Sequence, residues 1–351
     1  MIADGIKLTS YFGERDRVNG AFVADALLDL YSRHDIAASI VLRGIRGSGL
    51  KHHLRTNSSL SLSGNLPLTA IAVDARPTIE AVLNQTLELN QSGLVTIERA
   101  RLLSGKIEPV GIEDNAGEAT KLTCYLSRRD SVYMVPAFEE ICDLLYRRGI
   151  PGAIALLGVD GIAHGRRQRT RFLSRNANLP MMVVAVGPAD RIGTMLPELA
   201  GLLRHPLMTL ERVRICKRDG QLIDIPEPAV EADDRGFPLW QKLTVYTPEA
   251  ARHNGRPIHR VDVRRLRLAG ISGATTHRGF WGFHGERPPH GDRFLRLGQH
   301  VPMVMTVIDT AERIIAAFAV IDELTKEQGL VTSETVPGIR AISGHRQPGK
   351  L

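Results

Sequence analysis

The chain has little cysteine, few aromatic residues and no long apolar run. Its three cysteines, Cys124, Cys142 and Cys216, form no CxxC spacing. An odd number excludes a complete disulfide set within one chain, so buried free thiols are expected. Aromatic residues make up 5% of the sequence, and Trp281 is the aromatic candidate for base stacking beside a basic loop. That scarcity disfavours a nucleic-acid binder. No stretch reaches transmembrane length, and the start MIADGIKLTSYF lacks a signal-peptide pattern. A cytoplasmic protein without membrane insertion is therefore expected. Catalytic signatures are also missing: no HExxH, no Ser-His-Asp order, no paired-carboxylate pattern and no Walker A ending in GKS or GKT. The expectation is a binding protein and not an enzyme.

What is present begins with charge. The formal net charge is +7 and the isoelectric point is near 9.5. Such a balance favours acidic partners, whether nucleotides, nucleic acid or anionic protein surfaces. Hydrophobic content of 43% with 24% charged residues fits a soluble globular chain.

The strongest signal is repetition. Lys-Leu-Thr followed one residue later by Tyr occurs at Lys7 to Tyr11, Lys121 to Tyr125 and Lys242 to Tyr246. Three copies of one unit result, set at 1–104, 120–218 and 240–340. Each has about 100 residues, enough to form a core. After the opening strand comes an amphipathic helix, clearest as Phe138, Ile141, Cys142 and Leu145, with Phe22, Ala26, Leu27 and Leu30 in copy one. A short strand follows, then a Gly-rich loop of about 22 residues, far above ordinary connection length. The loop closes at Leu66-Pro67, Leu179-Pro180 and Val301-Pro302. A strand, a second helix and a last strand complete the unit, and the tail beyond 343 is expected to be mobile.

The order β-α-β-β-α-β predicts an α+β fold of three ferredoxin-like domains. The third strands, such as Met181-Met182-Val183-Val184-Ala185-Val186, are apolar at successive positions. A sheet wet on one face would alternate apolar and polar residues. Both faces of this strand must therefore be covered, one by helices and one by another sheet. Three copies arranged as an intramolecular pseudo-trimer meet that need. Its functional sites would lie in the seams.

The long loops carry the candidate chemistry. Two glycines recur in register, Gly44/Gly158/Gly279 and Gly47/Gly161/Gly282. Glycines can shape a backbone nest for an anion, or they can only shape a strand exit and a bulge. Lysine, arginine and histidine follow them. His284, His290 and Asp292 cluster in copy three, and His52-His53 are adjacent, which raises a metal-binding alternative. A phosphate-ester enzyme is a further alternative through Glu14, Asp16 and His53. Glu98-Arg99 and Glu211-Arg212 recur in the last strand, where an outward charged edge is the favoured reading.

The pattern Tyr-Phe-Gly-Glu-Arg-Asp-Arg (11–17), Arg-Gly-x-x-Gly-x-Gly (43–49), His-His (52–53) and Leu-Ser-x-x-Leu-Pro (62–67) resembles an uncharacterised PII-like signalling family, a domain of unknown function. Copy three is similar through Arg-Gly-Phe-Trp-Gly-Phe-His-Gly (278–285), and copy two fits more loosely. The resemblance implies trimeric ferredoxin-like units. It further implies an adenine nucleotide (AMP, ADP, ATP or cyclic AMP) in clefts between units, with a long loop that contacts a protein partner. Carried over by position, the implied site is Arg43, Gly44, Gly47, Gly49, Lys51, His52, His53 and Arg55 in copy one. Copy two retains Gly158 and Gly161. Copy three supplies Arg278, Gly279, Gly282, His284, Gly285 and His290. No metal is expected, and the pseudo-trimer is expected to be monomeric. Copy two has Leu157 where the others have arginine, so three equal sites are not expected.

Overall fold

In the computed structural model the described residues are 1–48, 54–56, 65–91, 93–112, 117–163, 166–169, 178–226, 239–271, 273–291, 301–342 and 345–346. The tail expectation therefore falls almost wholly outside them.

Three repeated α+β units build the protein. Unit 1 has strands β1 (Ile2–Gly13), β2 (Ala38–Arg43), β3 (Pro67–Ala75) and β4 (Leu94–Ser104). Unit 2 has β5 (Glu118–Ser127), β6 (Gly152–Leu157), β7 (Pro180–Gly187) and β8 (Leu207–Arg218). Unit 3 has β9 (Leu239–Pro248), β10 (Ala274–Arg278), β11 (Pro302–Asp309) and β12 (Leu330–Ile342). Helices α1 (Val23–Arg33), α3 (Ala137–Arg147) and α5 (Ile258–Leu268) follow the first strands. Helices α2 (Arg76–Leu89), α4 (Ala189–Gly201) and α6 (Ala311–Leu324) follow the third strands. Within each unit the sheet is antiparallel in the order fourth, first, third, second strand. No helix among the described residues is long and apolar enough to cross a membrane.

The third strands explain the packing. On β3, Leu68, Ala70 and Ala72 join the helix-side core, while Ile71 and Val73 join a second cluster. That second cluster also takes Ile154, Leu156, Met182 and Val184 from unit 2 and Val304 from unit 3. Alternate residues on one strand thus serve two cores. The shared core sits where the three sheets face one another.

The ring closes twice in hydrogen bonds. The end of β4 pairs with the start of β8, through Arg101 to Ser104 with Leu207 to Leu210. The end of β8 pairs with the start of β12, and the end of β12 returns to the start of β4. The second closure uses the long loops, which carry short strands of their own. Arg46–Ser48 pairs with β10, Asp160–Ala163 with β2, and Trp281–His284 with β6. Each loop therefore augments the edge strand of a neighbouring unit.

These pairings correct two expectations. The fourth strands are not an outward charged edge, because each is paired on both sides. Arg99 and Arg212 are exposed, but Glu98 and Glu211 are buried. The apolar stripe of copy one also shifts: Phe22 precedes the helix, and the buried residues are Val23, Leu27, Leu28, Leu30 and Tyr31.

One hairpin departs from its counterparts. A two-residue turn links the first strand to the first helix in each unit. It is Asn19-Gly20 in unit 1 and Asn254-Gly255 in unit 3, both with positive φ. Asn-Gly suits such a turn without strain. Unit 2 places Tyr133 and Met134 there, at φ 47° and 72°. They are 98% and 95% exposed. Holding ordinary residues in the left-handed region costs about 1–2 kcal/mol each. The double substitution Tyr133→Asn, Met134→Gly is expected to raise stability by about 1–3 kcal/mol. Urea unfolding checks this; a lowered midpoint would contradict it.

Candidate functional site

The first strand and the fourth strand of each unit point one charge each at the ring's centre. Lys7, Lys121 and Lys242 meet Glu98, Glu211 and Glu334, and all six are buried. Each lysine bridges the glutamate of its own unit and that of a neighbour. Lys7 pairs with Glu98 and lies 2.5 Å from Glu211. Lys121 lies 2.9 Å from Glu211 and 2.6 Å from Glu334. Lys242 lies 2.9 Å from Glu98 and 3.8 Å from Glu334. Thr9 and Thr96 also donate to Glu98, each at 3.2 Å.

Burial opposes the charged form in every member, and the opposite charges decide the outcome. For Glu98 and Glu334 burial pushes the pKa up, but the surrounding lysines reverse this and hold both below the ordinary range. For Lys7 burial pushes down, and Glu211 and Glu98 overcome it. Lys242 is the exception. Burial lowers its pKa, and Glu334 and Glu98 do not fully offset that and the repulsion from Lys121 and Lys7.

The three carboxylates lie close enough to hold a cation, with one oxygen from each within 4.8 Å of the others. The ammonium groups already take that role, so an ion would have to displace lysines. The histidines of the metal alternative bond to separate partners. His284 Nε2 is 3.0 Å from Asp219, and His290 Nδ1 donates to the Pro288 carbonyl. Asp292, like Gly49, Lys51, His52 and His53, lies outside the described residues.

The shared glycines serve close crossings. The amides of Gly44, Gly158 and Gly279 donate to the carbonyls of Pro67, Pro180 and Pro302, each at 2.8 Å. Gly161 and Gly282 have φ 152° and 147°. A Cβ there would fall 2.3 Å from the Ser39 carbonyl and 2.2 Å from the Ala153 carbonyl, respectively. Gly47 lies in the loop strand against β10. These positions let the loop strand cross the neighbour's backbone closely. Gly285, at φ 65°, donates its amide to Pro151. Arg55 pairs with Gly47 through its backbone. Arg43 and Arg278 are matched by Glu14 and Glu249; the latter pair is bidentate at 2.8 and 2.9 Å.

The family profile for DUF190, described as an uncharacterized ACR, matches residues 5–102, 119–215 and 240–338. The chain belongs to the DUF190 family. It carries three tandem DUF190 units, and their three seams can be compared as internal counterparts.

Those seams are chemically unlike. Where the loop of unit 2 meets unit 1, Arg167 reaches Asp25 and Asp29 of α1 at 2.5 Å and Asp160 at 3.0 Å. Its charge is fully matched. Where the loop of unit 3 meets unit 2, aromatic rings fill the space. Phe138 of α3 packs edge-on against Phe280 at 5.5 Å and Trp281 at 6.2 Å, and Tyr146 packs against Phe283 at 5.3 Å. The loop of unit 1 meets unit 3 with like charges. Arg46 faces Arg260 in the first turn of α5, a turn with no acidic residue. Burial and then Arg260 lower the Arg46 pKa. His259 is pushed down to about 4, by burial first, with Arg260, Arg46 and Arg278 repelling its proton against the pull of Glu249.

Sequence reasoning placed attention on the loop glycines and histidines and passed over Arg46, Arg260 and the central lysine–glutamate ring. The signal for the ring was present: Lys7, Thr9 and Tyr11 alternate, so they share one face of a strand. The signal for the seam was a helix start bearing His259-Arg260 where the others bear Ala24-Asp25 and Phe138-Glu139.

Proposed function

We propose that this chain is a PII-like regulatory protein. In this reading three ferredoxin-like domains form an intramolecular pseudo-trimer. An adenine nucleotide or similar anion occupies an inter-domain cleft and switches the long loop that contacts a protein partner. One observation carries the proposal: the seam between the unit 1 loop and unit 3 brings Arg46 and Arg260 together without an ion-pair partner among the described residues. A phosphate there would satisfy both through charge-assisted bonds. The adenine moiety rests on the family resemblance alone. Lys51, His52 and His53 follow Arg46 in the sequence, and the family resemblance assigns them to the ligand site. The protein acts by binding, so no phosphate release from these nucleotides is expected.

Titration calorimetry with AMP, ADP, ATP and cyclic AMP tests the proposal. The expected result is one nucleotide per chain. Arg260→Asp installs the residue type that unit 1 carries at the same helix position, Asp25. It is expected to weaken binding tenfold or more, about 1.4 kcal/mol. Silence with all four nucleotides would sink the proposal.

A further inference from the structure

We propose that the cavity at the centre of the ring binds a small monovalent anion, of halide to nitrate size. It has a volume of about 80 Å3 and is bounded by all three units. Bulk water occupies about 30 Å3 per molecule, so two or three waters or one small anion with a water would fill it.

The wall is rich in donors. Along each first strand the central lysine, the threonine two residues on and the tyrosine four residues on all face the cavity. None of the three glutamates lines it. The carboxylates stand behind the lysines, already engaged by them; Lys7 and Lys242 each keep a third N–H beyond two carboxylate contacts, while Lys121 contacts all three carboxylates. The three ammonium groups, with no carboxylate on the wall, favour an acceptor ligand of negative charge.

Two unpartnered polar atoms supply the independent observation. His277 Nε2 and Thr69 Oγ1 are buried with no hydrogen-bond partner, and both side chains line the cavity. Thr69 is level with Tyr11, and His277 pairs with Val304, which is level with Tyr246. The corresponding positions in the other units are apolar: Leu42 and Leu156 stand where unit 3 has His277. Buried polar groups are nearly always satisfied, so an orphan pair at one level points to an occupant. Lys242, whose charge its carboxylates leave under-compensated, sits on the same wall. A single negative charge would complete its surroundings.

The site is separate from the Arg46–Arg260 seam, so its failure would leave the nucleotide proposal standing. The test uses crystals grown in bromide, together with thermal melts in chloride, nitrate and gluconate at equal ionic strength. Gluconate is too large for the cavity. The expected result is an anomalous bromide peak in the cavity and melting several degrees higher in chloride or nitrate than in gluconate. His277→Leu, which restores the residue of the other two units, is expected to shrink that difference by half or more. Thr69→Val is a second variant with the same expectation. Water-only density without an anomalous peak, with melting independent of the anion, would overturn the proposal.

Discussion

Glu98→Ala is expected to destabilise the protein by about 3–5 kcal/mol, because it leaves two buried ammonium groups short of a counter-charge. Glu98 meets Lys7 and Lys242 and accepts from Thr9 and Thr96. All of these groups are buried. Urea unfolding reads the loss directly; Glu108→Ala, in an exposed pair with Lys106, is the control and should shift nothing measurable. Replacing all six ring members by apolar residues of similar size should cost far less than the single change, since it removes the buried charges together. A Glu98→Ala effect under 1 kcal/mol would refute the ring's role. The pH dependence follows the same logic. Glu98 and Glu334 have folded pKa values below the unfolded ones, so their contribution is present above the ordinary carboxylate range. It is lost as pH falls through the folded values. Lys7 and Lys121 are raised, so their contribution holds below the ordinary lysine range and fades as pH rises through the folded values.

Mild acid is expected to weaken the fold through His277. Burial pushes its imidazole down to about 4 from an ordinary 6.5. Lys7, Lys121, Lys242 and the three tyrosines line the same cavity and, with no anion bound there, offer no counter-charge. Between those two pH values the unfolded chain binds a proton that the folded chain does not. Stability therefore falls as pH drops from 6.5 toward 4, by about 3 kcal/mol in full. His277→Leu should flatten most of this slope; His259, also held near 4, contributes a smaller part. Urea midpoints at pH 7, 5.5 and 4.5 for both proteins provide the check. Parallel slopes would show that His277 is charged in the fold or plays no part.

Much of the scaffold was legible in the sequence, for a physical reason. The repeated Lys-Leu-Thr-x-Tyr marks the first strand of each unit because that strand is central in its sheet, and both of its faces are constrained. The doubly apolar β7 required cover on two sides, and the shared core supplies it. The loops were harder to interpret. Their glycines were consistent with a nest or a crossing, and the crossing involves the backbone of a neighbouring unit that the sequence alone does not place. Gly282 lies against Ala153, 129 positions earlier in the chain. Arg46 and Arg260 likewise lie 214 positions apart in the sequence. Without the ring closure nothing indicates that two unremarkable arginines face each other. The lysine–glutamate ring was half visible, as two repeated motifs whose partnership needs three sheets to reveal.

The scaffold is triplicated, while the proposed anion seam is single. A crystal structure of the protein soaked with the adenine nucleotide that binds best tests it most directly. The predicted result is density for one nucleotide, with its phosphates between Arg46 and Arg260 and none beside Arg167 or in the Phe138–Trp281 seam. Density at all three seams, or at a seam other than that of unit 1 and unit 3, would contradict it.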